Sequence, residues 1–288
     1  MIPGPFAYHR PKSIAEATGL MAQYADAARV LAGGQSLIPM MKLRLAAPEH
    51  LIDLTAIGEL KGIARKGEFV SIGAMTSQHE LITSELIAEL VPIIRETALL
   101  VADPQIRYVG TLGGNIANGD PGNDMPAIMQ CLDATYHVRG RAGERKVKAR
   151  AFYQGTYATA LAEAEIVTSI EIPVPPAGHG FAYEKLKRKI GDYATAAAAV
   201  VLSTQGGKIS SCAISLSNLA DTPLYAAAAS AAVLGGSLDA AALAASVKAA
   251  RAIMAPAADT RGSVEYRTYV GGVMVERALK RALARSKS

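Results

Sequence analysis

The 288 residues are half hydrophobic, 19% charged and carry a formal net charge of +5, enough apolar chain for two or three compact units without staples. Basic residues concentrate only at Arg139 to Arg150 and Lys185 to Lys189, without the long basic stripe and interleaved aromatics of a nucleic-acid binder. Two cysteines, Cys131 and Cys212, exclude a disulfide scaffold and fall short of the about four thiolates that one iron–sulfur cluster needs.

In chain order, Met1-Ile2-Pro3-Gly4-Pro5 lacks the charged and apolar regions of a signal peptide. Ser13 and Glu16 have capping-box spacing, and Ile14, Ala17, Met21, Tyr24 and Ala28 follow at helical intervals. Arg29-Val30-Leu31 reads as a short strand running into Gly33-Gly34, Leu37 to Leu45 as a helix, and His50 to Leu54 as a strand. Together these make a βαβ-type unit over 1–55. Phe69-Val70-Ser71-Ile72 alternates like a strand, and Thr76 or Ser77 caps a helix through Leu81. Leu86 to Leu100 reads as one further helix with Pro92 in its first turns. Asp103 to Asp124 reads as a long glycine-rich loop, after which Asp124 caps a helix from Met125 to Leu132. Glu165 to Ile172 is a strand that stops at Pro173, closing a second unit over 56–175.

Pro173, Pro175, Pro176, Gly178 and Gly180 form the clearest linker signal. Beyond it, in a third unit over 176–288, Ala196 to Ser203 and Ile209 to Leu219 form a β-hairpin through Gln205-Gly206-Gly207-Lys208. Ala194 to Leu202 suits either helix or strand, and its valines tilt it towards strand. It is also the most apolar run, roughly half the ~20 residues of a membrane helix, so a soluble cytoplasmic protein is expected. Alanine-rich helices are predicted over about 225–234, 239–253 and 263–284.

Five glycine pairs occur, beginning at 33, 113, 206, 235 and 271. The third suits a hairpin turn, the fourth a helix C-cap and the fifth a close packing contact. The first two have different neighbours. Ala32-Gly33-Gly34-Gln35-Ser36 follows an apolar strand, where glycines allow positive φ and close approach to a ligand, and free N–H groups can hold a pyrophosphate without a lysine. Thr111-Leu112-Gly113-Gly114-Asn115 shares that character, with the Thr111 hydroxyl and Asn115 amide as added partners. For both segments the residues alone leave a ligand loop and a structural turn equally open.

Competing signatures are absent. No G-x-G-x-x-G opens a βα turn, Gly207-Lys208-Ile209 lacks the rest of a P-loop, and Thr83 replaces the second histidine of a zinc-protease helix after His79-Glu80. His9, His50, His79, His137 and His179 show no ligand spacing. Asp120, Asp124 and Asp192 suit acid–base chemistry, but turns and caps explain them as well. No nucleophile–histidine arrangement is visible.

At these two glycine segments, with Asp53 and Asp124 suitably spaced, the chain resembles the FAD-binding medium subunit of the molybdenum hydroxylases, a family that includes xanthine dehydrogenase and aerobic carbon monoxide dehydrogenase. The resemblance runs from Tyr8-His9-Arg10-Pro11-Lys12-Ser13 to the C-terminal helix. The stretches Ile106 to Met125, Tyr183 to Ala199 and Pro256-Ala257-Ala258-Asp259 are most similar to the carbon monoxide branch. It implies an α+β chain: a vanillyl-alcohol-oxidase-type FAD-binding fold of two subdomains, then a C-terminal α/β domain with a small antiparallel sheet and helices. By similarity, Ala32, Gly33, Gly34, Gln35 and Ser36 hold the pyrophosphate, the adjoining Leu37 also binds the cofactor, and Thr111, Leu112, Gly113, Gly114 and Asn115 also line FAD. Val101, Asp124, Val167 and Lys185 fall where the family contacts the cofactor, and Asp192 and Tyr193 fall near the isoalloxazine. No side chain is implied as a catalytic acid or base.

The same resemblance implies partners. An iron–sulfur small subunit would carry two [2Fe-2S] clusters and a large subunit the molybdenum cofactor, in a dimer of heterotrimers that passes electrons to a quinone-type acceptor. Two cysteines fit the flavin subunit and neither of the others. Any contact with the inner membrane would come through that complex. The alternatives are a flavin subunit for an aldehyde or N-heterocycle, a non-catalytic binding or assembly protein, and a stand-alone flavin oxidoreductase.

Overall fold

The computed structural model describes residues 2–287. The first unit contains β1 (Ala7–His9), α1 (Ile14–Tyr24), β2 (Ala28–Leu31), α2 (Leu37–Lys42) and β3 (His50–Asp53). Its strands pair in parallel in the order β1-β3-β2, so α1 and α2 are crossovers, as the βαβ pattern predicts. Ser13 caps α1 through Glu16 N. The expected reciprocal bond is missing, because the Glu16 carboxylate takes the Lys12 N–H instead. The helix also ends at Tyr24 and does not reach Ala28. Ala25 adopts φ +42, and the chain turns there to start β2.

The second unit opens with β4 (Ile63–Lys66), β5 (Phe69–Gly73) and α3 (Gln78–Thr83), the last closed by a full Ser77–Glu80 capping box. Where one long helix was expected, two follow: α4 (Glu85–Leu90) and α5 (Pro92–Leu100). Pro92 disfavours helical geometry at the preceding residue, and Val91 accordingly sits at φ −140. The predicted long loop also contains two helices, α6 (Pro104–Val109) and α7 (Leu112–Ala117). Asp103 and Thr111 cap them through Ile106 N and Gly114 N. The glycine content hid both caps.

After α8 (Met125–Cys131), strands β6 (Thr135–Gly140) and β7 (Gly143–Lys148) precede a two-stranded ribbon, β8 (Tyr153–Gly155) and β9 (Ala158–Thr159), and then β10 (Ile166–Pro173). The main sheet runs β4-β5-β10-β6-β7, antiparallel throughout. Its inner face packs on α3, α5, α7 and α8 through Val70, Ile72, Leu81, Ile94, Leu112, Ile128 and Ile170, all fully buried. Each such side chain contributes about 1.5–3 kcal/mol of burial.

The third unit comprises β11 (Gly180–Leu186), β12 (Ala196–Gln205), β13 (Lys208–Ser217), β14 (Leu224–Tyr225), α9 (Ala227–Ala231), α10 (Ala240–Ala252) and α11 (Val264–Arg285). The antiparallel sheet has the order β11-β12-β13-β14. The alanine run of β12 is buried on both sides: Ala197 and Ala199 join the second unit's core, while Ala196, Ala198 and Val200 join the core under α11. Small residues let the layers close over both faces. Gly271 and Gly272 of α11 face Met254 and Arg251 at distances that leave no room for a Cβ, as a packing contact requires.

Candidate functional site

A cleft of about 610 Å³ lies between the first sheet and the second unit, within the usual range for small-molecule sites. Its lining divides cleanly among the residues singled out in the sequence. Ala32, Gly33, Gly34, Gln35, Ser36 and Leu37 line it, as do Thr111, Gly113, Gly114 and Asn115, with Val101 and Val167 on the walls. Leu112, Asp124, Lys185, Asp192 and Tyr193 are not among its lining residues. Leu112 points into the core at 0% exposure.

The two glycine segments differ in chemistry. Along Gly33–Leu37, five consecutive backbone N–H groups find no acceptor among the described residues. Gly34 supplies φ +68, and the Gln35 amide folds back to the Gly33 carbonyl at 3.1 Å. A row of unpaired N–H groups in a turn of this kind is a concavity for an anion. At the second segment four of the five N–H groups are already used. Leu112 N donates to Thr76 O and Gly113 N to Ala74 O, both at 2.8 Å, and Asn115 N to Thr111 O at 3.1 Å. Gly114 N donates to Thr111 Oγ1 at 3.0 Å. The side chains are used only in part: the Thr111 hydroxyl oxygen and the Asn115 carboxamide oxygen each accept a backbone bond, which leaves the Thr111 O–H and the Asn115 Nδ2 as donors. Thr111 caps α7, and Asn115 Oδ1 accepts from Met125 N at 3.2 Å.

Glycines of the second segment serve close packing instead. A Cβ on Gly113 would stand 2.6 Å from Ala74 Cβ, and one on Gly114 2.8 Å from Thr111 Oγ1 and 3.5 Å from Ala32 Cβ. The second segment thus sets the wall against which the first turn is positioned.

Behind the Val101 wall lies a buried polar node. Asp124 begins α8 in helical geometry, with no side-chain capping bond, which overturns its expected role as a cap. Its carboxylate is committed elsewhere: Tyr183 OH donates to Oδ1 at 2.5 Å and Lys185 Nζ to Oδ2 at 2.8 Å. Burial, then the Asp124 charge, drives the Tyr183 phenol well above its usual pKa. Lys185 Nζ also reaches the Leu100 carbonyl at 3.3 Å, one residue from Val101.

Asp192 forms ion pairs with Arg261 at 3.1 Å and Arg188 at 3.3 Å. Burial alone would raise its pKa, but the hydrogen bonds and charges of the two guanidiniums outweigh burial and hold it below the ordinary value. Tyr193 is half-exposed and packs on Gly122. Burial, then the nearby Asp120 carboxylate, raises its phenol. Tyr157 OH donates to that same carboxylate at 3.1 Å, and Tyr157 lines the cleft, so Asp120 links Tyr193 to the cleft mouth. Asp53 is a structural group: it caps the turn at Thr55 and accepts from Tyr8 OH, fastening β1 to β3.

Tyr157, Asn118 and Gln78 were not legible as site residues. Tyr157 stands in the left-handed region at φ +58, a conformation no local motif announces. His9 and His50, separated by 41 positions, approach to 3.0 Å. Among the described residues no group of three or more His, Cys, Asp or Glu is placed to hold a metal, and no helix is long and apolar enough to cross a membrane.

Residues 4–175 match the family described as the FAD binding domain in molybdopterin dehydrogenase, and residues 181–282 the carbon monoxide dehydrogenase flavoprotein C-terminal domain. The chain belongs to the FAD-binding subunits of the molybdenum hydroxylases. It is 61% identical to the carbon monoxide dehydrogenase medium chain of Afipia carboxidovorans over the whole of both chains. It is 35% identical to the glyceraldehyde dehydrogenase medium chain of Sulfolobus acidocaldarius, covering 97% of this chain and 99% of that one. Carbon monoxide dehydrogenase from Hydrogenophaga pseudoflava superposes with a TM-score of 0.99 at 50% identity, over 100% of both chains. The α+β architecture is therefore an FAD-binding domain of the molybdopterin dehydrogenase type followed by the flavoprotein C-terminal domain. FAD also fits the residues: a cofactor with a diphosphate at its centre matches a cleft that presents five unpaired peptide N–H groups in a row.

Proposed function

We propose that this chain is the flavin subunit of an aerobic carbon monoxide dehydrogenase. It relays electrons from the two [2Fe-2S] clusters of an iron–sulfur small subunit to a quinone-type acceptor, while a large subunit carries the molybdenum cofactor. The observation that carries the substrate class is the 61% identity over full length to a carbon monoxide dehydrogenase medium chain, against 35% to a glyceraldehyde dehydrogenase medium chain. The second supports the aldehyde alternative in kind but by a much more distant match.

Gly33–Leu37 hold the diphosphate of FAD through their N–H groups, and Ala32, Thr111, Gly113, Gly114, Asn115, Val101 and Val167 shape the cleft around it. Leu112 acts from the core by fixing α7. Asp124 and Lys185 support the Val101 wall from behind, and Asp192 and Tyr193 order the segment beside the cleft mouth. Bound FAD supplies the electron chemistry, and the protein supplies binding, orientation and electrostatics. The cofactor sits between units 1–55 and 56–175, while 176–288 packs on the second unit through Tyr183, Ala194, Ala197 and Ala199 and contributes no lining residue to the cleft. A cytoplasmic dimer of heterotrimers, touching the inner membrane only as a complex, completes the proposal.

The test is purification of the tagged chain from its native host. Co-elution of an iron–sulfur and a molybdenum subunit, with carbon monoxide oxidation coupled to a quinone analogue, is the expected result. Oxidation of an aldehyde or N-heterocycle in place of carbon monoxide moves the assignment to the alternative. A colourless chain without flavin points to an assembly protein. Turnover by the isolated chain points to a stand-alone oxidoreductase.

A further inference from the structure

Gln78 is the first residue of α3, and both of its neighbours in space are fixed. The capping box holds Ser77 and Glu80 through bonds of 2.7–3.1 Å. Ser77 bridges to Thr111, and Gln78 N donates to the Gly110 carbonyl at 2.9 Å. The side chain is 1% exposed and the residue lines the cleft. Its amide Nε2 and carbonyl Oε1 nevertheless have no hydrogen-bond partner. Gln130, also buried, donates its Nε2 to the Pro223 carbonyl and leaves only its Oε1 unpartnered, whereas Gln78 has neither end satisfied. Asn118, which also lines the cleft, has an unpartnered Nδ2.

A buried amide with neither end satisfied is disfavoured. An apolar side chain at this position would pack against Leu81 and its neighbours without that penalty. The backbone bonds of Ser77, Gln78 and Gly110 hold the carboxamide beside the crossing of the two glycine segments. Its terminal torsion is soft, so a small rotation presents both ends to the cleft.

We propose that Gln78 is a cofactor-binding residue that engages FAD through both ends of its carboxamide, recognising a neutral group that offers a donor and an acceptor side by side. On FAD that chemistry belongs to the imide edge of the flavin ring, to the N6–N7 or N6–N1 edge of adenine and to the sugar hydroxyls, and not to the diphosphate, which offers acceptors only. Gln78 thereby complements the anion-binding turn: one element takes the charge, the other the neutral part. The assignment rests on the FAD reading of the cleft.

The test uses the full-length chain, deflavinated, with Gln78→Met and Gln78→Leu as variants. Two readouts are taken: the melting temperature without cofactor and the FAD dissociation constant from flavin fluorescence. Relief of the unpaired amide should leave the cofactor-free melting temperature equal or higher, while FAD affinity falls tenfold or more. Competition by FMN and by ADP-ribose then assigns the contact to the half whose binding weakens in the variants. Unchanged FAD affinity in either folded variant overturns the proposal, as does failure of both variants to fold, because the amide would then serve the fold itself. Wild-type chain that takes up no FAD refutes the cofactor reading instead, a separable result.

Discussion

Gly33 lies directly against the backbone of Val109: a Cβ on Gly33 would stand 2.3 Å from the Val109 carbonyl oxygen and 2.8 Å from Gly110 Cα. The first glycine of the anion turn is thus required by its neighbour across the cleft wall, and its φ is not the reason. Only Gly34, at φ +68, is required by conformation.

Gly33→Ala should therefore push the two segments apart and abolish flavin retention. Gly34→Ala adds about 1–2 kcal/mol of left-handed strain and should weaken retention less. Gly19→Ala is the control. Gly19 lies within α1 with nothing within 4 Å of the added carbon, so it should stabilise by about 0.5–1 kcal/mol. Flavin-to-protein absorbance ratios rank the three, and normal flavin content in Gly33→Ala would refute the packing argument.

Lys185→Met strands the buried Asp124 carboxylate, which then keeps only Tyr183. Breaking such a pair from one side costs about 3–5 kcal/mol. The paired change Lys185→Met with Asp124→Leu should recover much of that loss in a denaturant melt. A double variant less stable than the single would show that the node is more than a matched pair.

Acid sensitivity should centre on Asp192 and Asp259. In each, burial opposes ionisation but bonds from arginine side chains, joined at Asp259 by the Arg261 backbone N–H, prevail, so the folded pKa lies below that of the unfolded chain. The stability they contribute is present above the unfolded aspartate range, about pH 4, and is lost as pH falls through the folded values. Asp192→Asn should lower the melting temperature at neutral pH and flatten its decline on acidification. A variant with an unchanged acid limb would remove Asp192 from this account.

Gly180 begins β11 beneath the C-terminal helix, and an added Cβ would lie 1.9 Å from the Ala282 carbonyl oxygen. Neither backbone can yield without lifting α11, so Gly180→Ala should unfold the third unit or leave it insoluble. Glu96→Gln should act more mildly on the same joint. Its carboxylate takes Tyr183 N, Arg281 and Arg285 together, and faster backbone hydrogen exchange in α11 is the expected signature.

The sequence carried the βαβ start, a cap for α3 at Thr76 or Ser77, the hairpin of β12 and β13, and the long α11 by local rules alone. It failed where two local signals collided. Glycines and prolines between 103 and 124 outweighed the caps Asp103 and Thr111, so two helices were read as loop. Asp124 has a capping residue's type and position, but a lysine and a tyrosine 60 positions away in sequence claim its carboxylate. Ala194 to Leu202 was ambiguous because β12 is buried on both faces, which removes the alternation that marks a half-exposed strand. Gln78 left no trace, since a glutamine at a helix start reads as surface.

The anion turn of Gly33–Leu37 offers five peptide N–H donors beside the neutral Gln35 amide and Ser36 hydroxyl, and none of these groups titrates near neutral pH. A diphosphate held there is gripped equally at mildly acid and mildly alkaline pH, and with a shallower ionic-strength dependence than lysine or arginine would impose. Retention of the cofactor is thereby decoupled from the protonation and charge-pairing changes elsewhere in the molecule.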